Sequence, residues 1–385
     1  MRILFCGLSG IPNKASASIN RYMAIGQSLA SNNEVIFINR YPLFKEIEEH
    51  SNEPNNSFKV IDATNIKYRP PSFIKRNFLK LASFLFEYRA IRKINKEKKI
   101  DWLNIYTQYF GILLFYYFLS KIFNFKTILH YVEFRSKFIA RNWLYRINDL
   151  LFDKIAVFLC DKIIPISNTL NRHVLSLKHT ASTLVIPPIC DFKYFDSIKP
   201  EISEKRYFVF CASVSYQDVF LFIIESFLKL GNLEEVNLHL VINNGELTNQ
   251  TIKHLIEANS EKIFVFSHLE YTKLISKYKG SLAQLIPLRD LLQDSARFPQ
   301  KICEFLASHR PIVTTSFGEI NHYFIDNLNA IVATDYKINT YSKKMEWVLF
   351  NPDKLQTITS NSYILGCNHF DIQVYSSKIE NFLMT

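Results

Sequence analysis

Residues 283–320 read AQLIPLRDLLQDSARFPQKICEFLASHRPIVTTSFGEI. The apolar run Ala283–Leu288 and the β-branched run Pro311–Thr315 suit strands of a buried parallel sheet, where both faces are covered and hydrophobicity is continuous. Between them Lys301–Ser308 has helical composition and follows a loop holding Arg289, Asp290, Asp294, Arg297 and Pro299. A loop feeding a helix N-terminus offers unpaired amides and the positive end of the helix dipole, which suits an anion. Arg297 and Lys301 then stand beside that anion. Glu304 falls one turn after Lys301 on the same face, and a carboxylate that accepts two hydrogen bonds matches a vicinal diol such as a ribose. Together these groups describe a sugar-nucleotide pocket; the alternative is an ordinary surface pair spaced i, i+3. On either reading, Lys301 and Glu304 are expected outside the core. The turn Ser316–Phe317–Gly318–Glu319 adds a glycine where backbone can approach a ligand.

The segment RFPQKICEFLASHRPIVTTSFGEI resembles the donor-binding signature of family-four retaining glycosyltransferases, which have two Rossmann-like lobes facing a central cleft (the GT-B fold). That family brackets the helix with two glutamates that have seven residues between them. Glu304 falls at the second, which implies ribose contact, and Arg297 and Lys301 fall where diphosphate contacts are expected, with Gly318 and Glu319 in the Gly-Glu loop. Ala296 stands at the place of the first glutamate. The RFP-x-K form is similar to a variant found in polysaccharide-assembly members.

The remainder of the chain sets the frame. Its 385 residues exceed one small core, and 48% apolar residues can fill two. A net charge of +11 favours an anionic partner or surface. Cys6, Cys160, Cys190, Cys211, Cys303 and Cys367 show neither Cys-x-x-Cys nor Cys/His spacing, as expected of reduced thiols in a cytosolic protein without a structural metal.

From the start, Ile3–Cys6, a loop with Gly7 and Gly10, a helix over Ser18–Ser31 and a strand at Glu34–Asn39 make a Rossmann-type opening, although Gly7-x-x-Gly10 is short of a full dinucleotide fingerprint. No apolar stretch precedes the first strand, so no signal peptide is expected. Polar residues and prolines dominate Tyr41–Arg69. Residues 72–93 then turn basic and amphipathic, with Phe73, Phe78, Leu81, Leu85 and Tyr88 near one stripe flanked by lysines and arginines. Such a helix can lie on an anionic leaflet, gaining about 1 kcal/mol per basic residue, or can be a lobe helix with a solvated basic face. Gly111–Leu119 is the longest apolar run, well short of the roughly 18 residues that cross a bilayer.

Thr127–Val132 reads as a strand, and HYVEFRSKF at its far end is placed to face a ligand, since ligands gather beyond the carboxyl ends of open α/β sheets. Resemblance puts a histidine or an acidic group there. Glu133 is the first candidate for catalysis and His130 the second, with Arg135 to bind an acceptor phosphate or orient the carboxylate. Core packing of His130 and a loop ion pair of Glu133 are the plain alternatives. Val185–Asp191 resembles the last strand and exit turn of the first lobe. Relatives place Arg and Lys in the first loop of the second lobe; Ser213–Asp218 supplies neither, leaving Ser213 with Arg289, Arg297 and Lys301. Leu269–Tyr271 falls where relatives pack the base.

The expected protein is α/β, with an N-terminal acceptor-binding lobe over 1–191, a linker over 192–205, a donor-binding lobe over 206–365, and a C-terminal helix over 366–385 returning to the N-lobe. Resemblance implies transfer of a sugar, with retention, from a nucleotide sugar to a growing and lipid-linked surface glycan, on the inner face of the plasma membrane. No cofactor is expected, and no Asp-x-Asp triplet suited to Mg²⁺ occurs. A nucleotide-sugar epimerase and an inactive nucleotide-sugar-binding protein are the alternatives. Nucleic-acid binding is disfavoured because the basic residues are dispersed among apolar ones.

Overall fold

The computed structural model describes residues 1–11, 17–42, 57–64, 66, 69–137, 142–231, 233–243 and 245–385. They divide into two units, Met1–Pro187 with Tyr375–Thr385, and Pro188–Val374.

The first unit runs β1 (Arg2–Cys6), α1 (Ala17–Leu29), β2 (Glu34–Asn39), β3 (Lys59–Asp62), α2 (Phe73–Glu97), β4 (Trp102–Ile105), α3 (Phe110–Phe123), β5 (Lys126–Tyr131), α4 (Trp143–Leu159), β6 (Lys162–Pro165), α5 (Asn168–Leu177) and β7 (Ser182–Thr183). All seven strands are parallel, in the order β3-β2-β1-β4-β5-β6-β7. Every residue of β1 is buried, as its unbroken apolar run requires of a central strand. Steps to opposite sides of β1 with right-handed crossovers put α1 on one face and α2, α3, α4 and α5 on the other. On that second face α2 packs on α3, and α3 on α4.

The first unit adds one strand that was not anticipated and corrects one expectation. The polar stretch 41–69 contains an edge strand, β3, whose partly exposed KVID pairs with β2; residues 43–56, 65, 67 and 68 of it lie outside the described residues. Val185–Asp191 is not a strand. Leu184 and Ile186 donate their amides to Ile163 and Pro165 of β6, but Pro187 and Pro188 have no N–H with which to continue the ladder.

The second unit runs α6 (Phe192–Asp196), β8 (Arg206–Ser213), α7 (Gln217–Leu228), β9 (Val236–Asn243), α8 (Gln250–Ala258), β10 (Ile263–Ser267), α9 (Tyr271–Gly280), β11 (Ala283–Ile286), α10 (Leu292–Ala296), α11 (Lys301–Ala307), β12 (Ile312–Thr315), α12 (Ile320–Tyr323), β13 (Ile331–Ala333), α13 (Ile338–Phe350) and α14 (Pro352–His369). Its six strands are parallel, in the order β10-β9-β8-β11-β12-β13. Phe208, Phe220, Ile223, Phe227, Leu238 and Met345 are fully buried in its core. Residues 192–205 do not behave as a linker. Phe192 and Phe195 are buried, Lys279 donates to Phe195 O at 2.8 Å, and Glu201 N donates to Ser276 O at 2.8 Å, which ties the segment to α9.

The chain re-enters the first unit at Tyr375, where α15 (Ser376–Met384) packs on α1. Ser376 Oγ donates to Ser28 O at 2.6 Å, Asn33 donates to Glu380 at 2.8 Å, and Lys162 of β6 donates to Phe382 O. Residues 366–369, expected in this last helix, belong to α14 in the second unit.

Candidate functional site

In the second unit β8 and β11 are neighbours, and the segments leaving their carboxyl ends carry the charged groups. Asp294, fully buried on α10, is the organiser. It accepts from Arg289 N at 3.0 Å, Nε at 2.8 Å and Nη2 at 3.0 Å, and lies 3.1 Å from Arg297 Nε. Burial pushes this carboxyl up, but the two guanidiniums outweigh burial and hold it below its ordinary range. Arg289 also reaches Asp218, at the start of α7, at 2.7 Å. Arg297 lies over the Tyr216 ring at 4.4 Å and donates to its hydroxyl through Nη1, leaving Nη2 without a partner among the described residues.

The loop 213–218 therefore supplies no cation, yet two cations from the β11 loop converge on it, held by Tyr216 and Asp218. Sequence reading missed these two holders because an aromatic and an acid in a loop carry no spacing signal. Asp294 was visible there, but within a loop; the short helix α10 that buries it was not anticipated.

Lys301 donates to Glu304 Oε2 at 2.7 Å, and Tyr271 OH donates to Oε1 at 3.3 Å. Glu304 is fully buried and Lys301 is 13% exposed, which corrects the expectation that both stand outside the core. The first turn of α11 is covered because the apolar KICEFLA helix sits among Tyr271, Tyr278 and the sheet, so its polar pair is buried with it. Burial works against the ammonium, but Cys211 and Glu304 outweigh it and the pKa of Lys301 is raised. Each Glu304 oxygen has one donor, and the side chain has no exposed surface, so a ligand hydroxyl reaches it only by displacing Lys301 or Tyr271. Tyr271, read as part of a base-packing segment, thus holds this carboxylate.

Gly318, at φ +58, sits where a Cβ would come within 2.9 Å of Ser295 Cα, so the turn is glycine because it presses on α10. Glu319 is buried beside it, 1% exposed. Ser213 caps the turn after β8, accepting from Ser215 Oγ at 3.2 Å.

In the first unit the candidates lie at the carboxyl end of β5. His130 is buried, with Nδ1 3.2 Å from Arg21 Nη1. A guanidinium can only donate, so Nδ1 is the acceptor and the proton is on Nε2, which is buried without a partner among the described residues. Burial, aided by Arg21, pushes the pKa of His130 well down. His130 is therefore a neutral donor. Glu133 is 18% exposed, and its Oε2 accepts from Gln108 at 3.1 Å and Arg135 at 3.2 Å. Arg135 also bonds Gln108 Oε1 and lies 3.5 Å from buried Asp149 of α4. Arg135 thus holds the Glu133 carboxylate. Phe138, at the end of HYVEFRSKF, lies outside the described residues.

The glycine loop is internally committed. A Cβ on Gly7, at φ +95, would meet Tyr106 O at 2.5 Å, and the amides of Gly10 and Ile11 both donate to Asn39 Oδ1 at 3.0 Å. These glycines close the β1 turn onto β4 and β2. Among the described residues no group of three or more His, Cys, Asp or Glu gathers as a metal site.

Residues 193–364 match the family described as Glycosyl transferases group 1. Among solved structures, sucrose-phosphate synthase from Thermosynechococcus elongatus is similar at 12% identity, covering 100% of this chain and 98% of that one with a TM-score of 0.77. Anabaena HepE, solved with UDP-glucose, is similar at 15% identity over 100% and 99% of the two chains, with a TM-score of 0.72. A glycosyltransferase from Rickettsia africae is 14% identical over 99% and 97%, with a TM-score of 0.68. At these identities the structures establish the fold, that of the GT-B glycosyltransferases. No curated protein matches the chain in sequence. The epimerase alternative is not favoured.

Proposed function

Because residues 193–364 match the family described as Glycosyl transferases group 1, we propose that the protein is a glycosyltransferase that moves a sugar from a nucleotide-sugar donor to a lipid-linked surface glycan. Transfer proceeds with retention and without a metal. The observation that carries the donor assignment is a pair of buried carboxylates each bearing cations, Asp294 with Arg289 and Arg297 and Glu304 with Lys301, the three cations each 13–17% exposed. HepE, with a similar fold, was solved with UDP and with UDP-glucose, which supports a nucleotide-sugar donor here.

As the sugar–phosphate bond breaks, negative charge accumulates on the leaving diphosphate. Preorganised cations stabilise that charge without reorganising at the moment of reaction. Arg297 Nη2 and the two ammonium protons of Lys301 not given to Glu304 are the donors placed for it. Glu304 reads the ribose hydroxyls once the donor displaces Tyr271 or Lys301 from its carboxylate. In the first unit Glu133, with Oε1 outside its hydrogen bonds to Gln108 and Arg135, receives the acceptor hydroxyl, and His130, whose Nε2 is buried, is the second candidate there. The basic residues of 72–93 hold the protein on an anionic membrane at the inner face of the plasma membrane.

A panel of nucleotide sugars, scored by thermal stabilisation and by transfer or hydrolysis, tests this assignment. One or a few donors are expected to raise the melting temperature. Arg297→Ala is expected to weaken that binding by roughly 10-fold to 100-fold, as loss of a charge-assisted contact does, and Tyr216→Ala to weaken it less by freeing the Arg297 side chain. A panel without a single stabilising donor, or undiminished binding in Arg297→Ala, would falsify the donor site.

A further inference from the structure

Three neighbouring helices of the first unit present an apolar surface that the other described residues leave exposed. On α2, Phe73, Ile74, Phe78 and Leu81 are 71–79% exposed. On α4 the usual order is inverted: Asp149 and Asp153 face inward, accepting from Asn148, Tyr131 and Ser136, while Trp143, Leu144, Tyr145 and Ile147 are 47–66% exposed. Phe118 and Ile122 of α3 are exposed between them.

Charge follows the same division. The carboxylates of Glu87, Asp149 and Asp153 are buried, and among the described residues Glu97 is the one exposed acid on the three helices. Lys75, Lys80 and Arg89 on α2, Lys121 on α3, and Arg146 and Lys154 on α4 are all exposed. Two copies of this chain meeting through such a face would set like charges against each other, whereas an anionic lipid surface complements both its charge and its apolar residues.

The helices are also staggered. Phe84 meets Phe115 at 5.0 Å and Tyr88 meets Phe123 at 5.8 Å, so α2 and α3 run side by side in one direction. That register carries the start of α2 past the start of α3 by about two to six residues, roughly 3–9 Å. Phe110 N donates to Asn148 Oδ1 at 2.8 Å, which leaves the first turn of α4 overhanging by about five residues, roughly 7 Å. In a parallel sheet with crossover helices, helix starts lie at the carboxyl ends of the strands, the end that carries His130 and Glu133.

We propose that the overhanging first turns of α2 and α4 insert together into an anionic lipid surface, with Trp143, Leu144, Tyr145 and Ile147 forming a second anchor outside residues 72–93. The carboxyl edge of the first sheet is then held against the headgroups, where a lipid-anchored acceptor presents its hydroxyl. This anchor rests on the membrane-bound, lipid-linked reading given above.

The test uses the full chain and vesicles of phosphatidylcholine with and without phosphatidylglycerol, in a co-flotation assay that needs no donor sugar. Binding to the anionic vesicles is expected, with a blue shift of tryptophan fluorescence that disappears in Trp143→Phe. The double variant Trp143→Ser/Leu144→Ser is expected to lose roughly tenfold or more in binding, with an unchanged melting curve because both side chains are exposed. Lys75→Glu/Lys80→Glu is expected to lose about fivefold or more for each lysine. Wild-type binding by the α4 variant, with Phe73→Ser/Phe78→Ser losing it, overturns the second anchor and leaves α2 as the membrane contact. No vesicle binding by the wild type overturns the anchor and the membrane reading together. A dimer in sedimentation that the α4 variant converts to monomer, without vesicle binding, overturns the proposal in favour of a second copy. Sugar transfer to a soluble acceptor, measured separately, reports on the enzyme reading whatever the vesicles show.

Discussion

Glu304 shows how burial changes what a residue does. A surface carboxylate beside a lysine contributes little to stability, but Glu304 is fully buried and Lys301 nearly so. Removing the carboxylate leaves an ammonium with its covering aromatic rings and no counter-charge. Glu304→Ala is therefore expected to lower stability by about 3 kcal/mol or more in urea denaturation, and Glu304→Gln, which keeps an acceptor, to lower it less. An unchanged midpoint in Glu304→Ala would mean that Lys301 escapes to water, and the pocket would lose its buried floor. Loss of donor binding in this variant has to be read beside its stability. Arg297→Ala avoids that difficulty, because Arg289 still pairs with Asp294 when Arg297 is removed. From sequence, Glu304 and Lys301 were visible as a pair, and Arg297 and Arg289 as cations. That they share Asp294 and Tyr216 was not, because those contacts depend on how two loops converge.

At the scale of the element, α2 carries opposite demands on its two sides. Leu79, Ser83, Glu87, Ile91 and Ile94 face inward, while Phe73, Phe78 and Leu81 face out. The apolar stripe read from the sequence is thus largely the uncovered side in the first half of the helix, and the true inner stripe includes an acid. Glu87 accepts from Tyr116 OH at 2.7 Å, and burial pushes its carboxyl up to about 7. With a folded value above the ordinary 4.5, the protonated form is favoured in the folded state. Its contribution to stability is full below that ordinary value and is lost as pH rises to about 7, by about 3 kcal/mol in total. Glu87→Gln removes this dependence, so its stability relative to wild type is expected to rise between pH 5 and pH 8. Parallel stability curves for the two proteins would contradict a buried, protonated Glu87.

At the scale of the whole molecule, the chain builds one sheet, then the other, and then returns eleven residues to the first unit. Ile379 and Leu383 are buried there, each contributing roughly 1.5–3 kcal/mol, and Lys162 relies on Phe382 and Thr385. Deleting residues 375–385 is expected to lower the melting transition of the first unit by calorimetry and leave that of the second in place. A single transition lowered as a whole would instead show that the two units melt as one. The order of elements was legible in outline because buried parallel strands are short apolar runs punctuated by glycine and proline, as Ile3–Cys6 and Pro311–Thr315 are. Edge strand β3 and the inverted α4 were not, since polar composition hides an edge and exposed apolar residues mimic a core stripe.

What the sequence determined by itself was the α/β architecture and the identity of the cations that follow β11, because strand periodicity, helix starts and charge type are local properties of consecutive residues. The tertiary structure alone decided which acids hold those cations, that Glu304 is buried, that His130 carries its proton on Nε2, and that α4 turns its apolar side outward. Each of these depends on distance and desolvation between residues far apart in the chain, and neither quantity is written in composition or spacing.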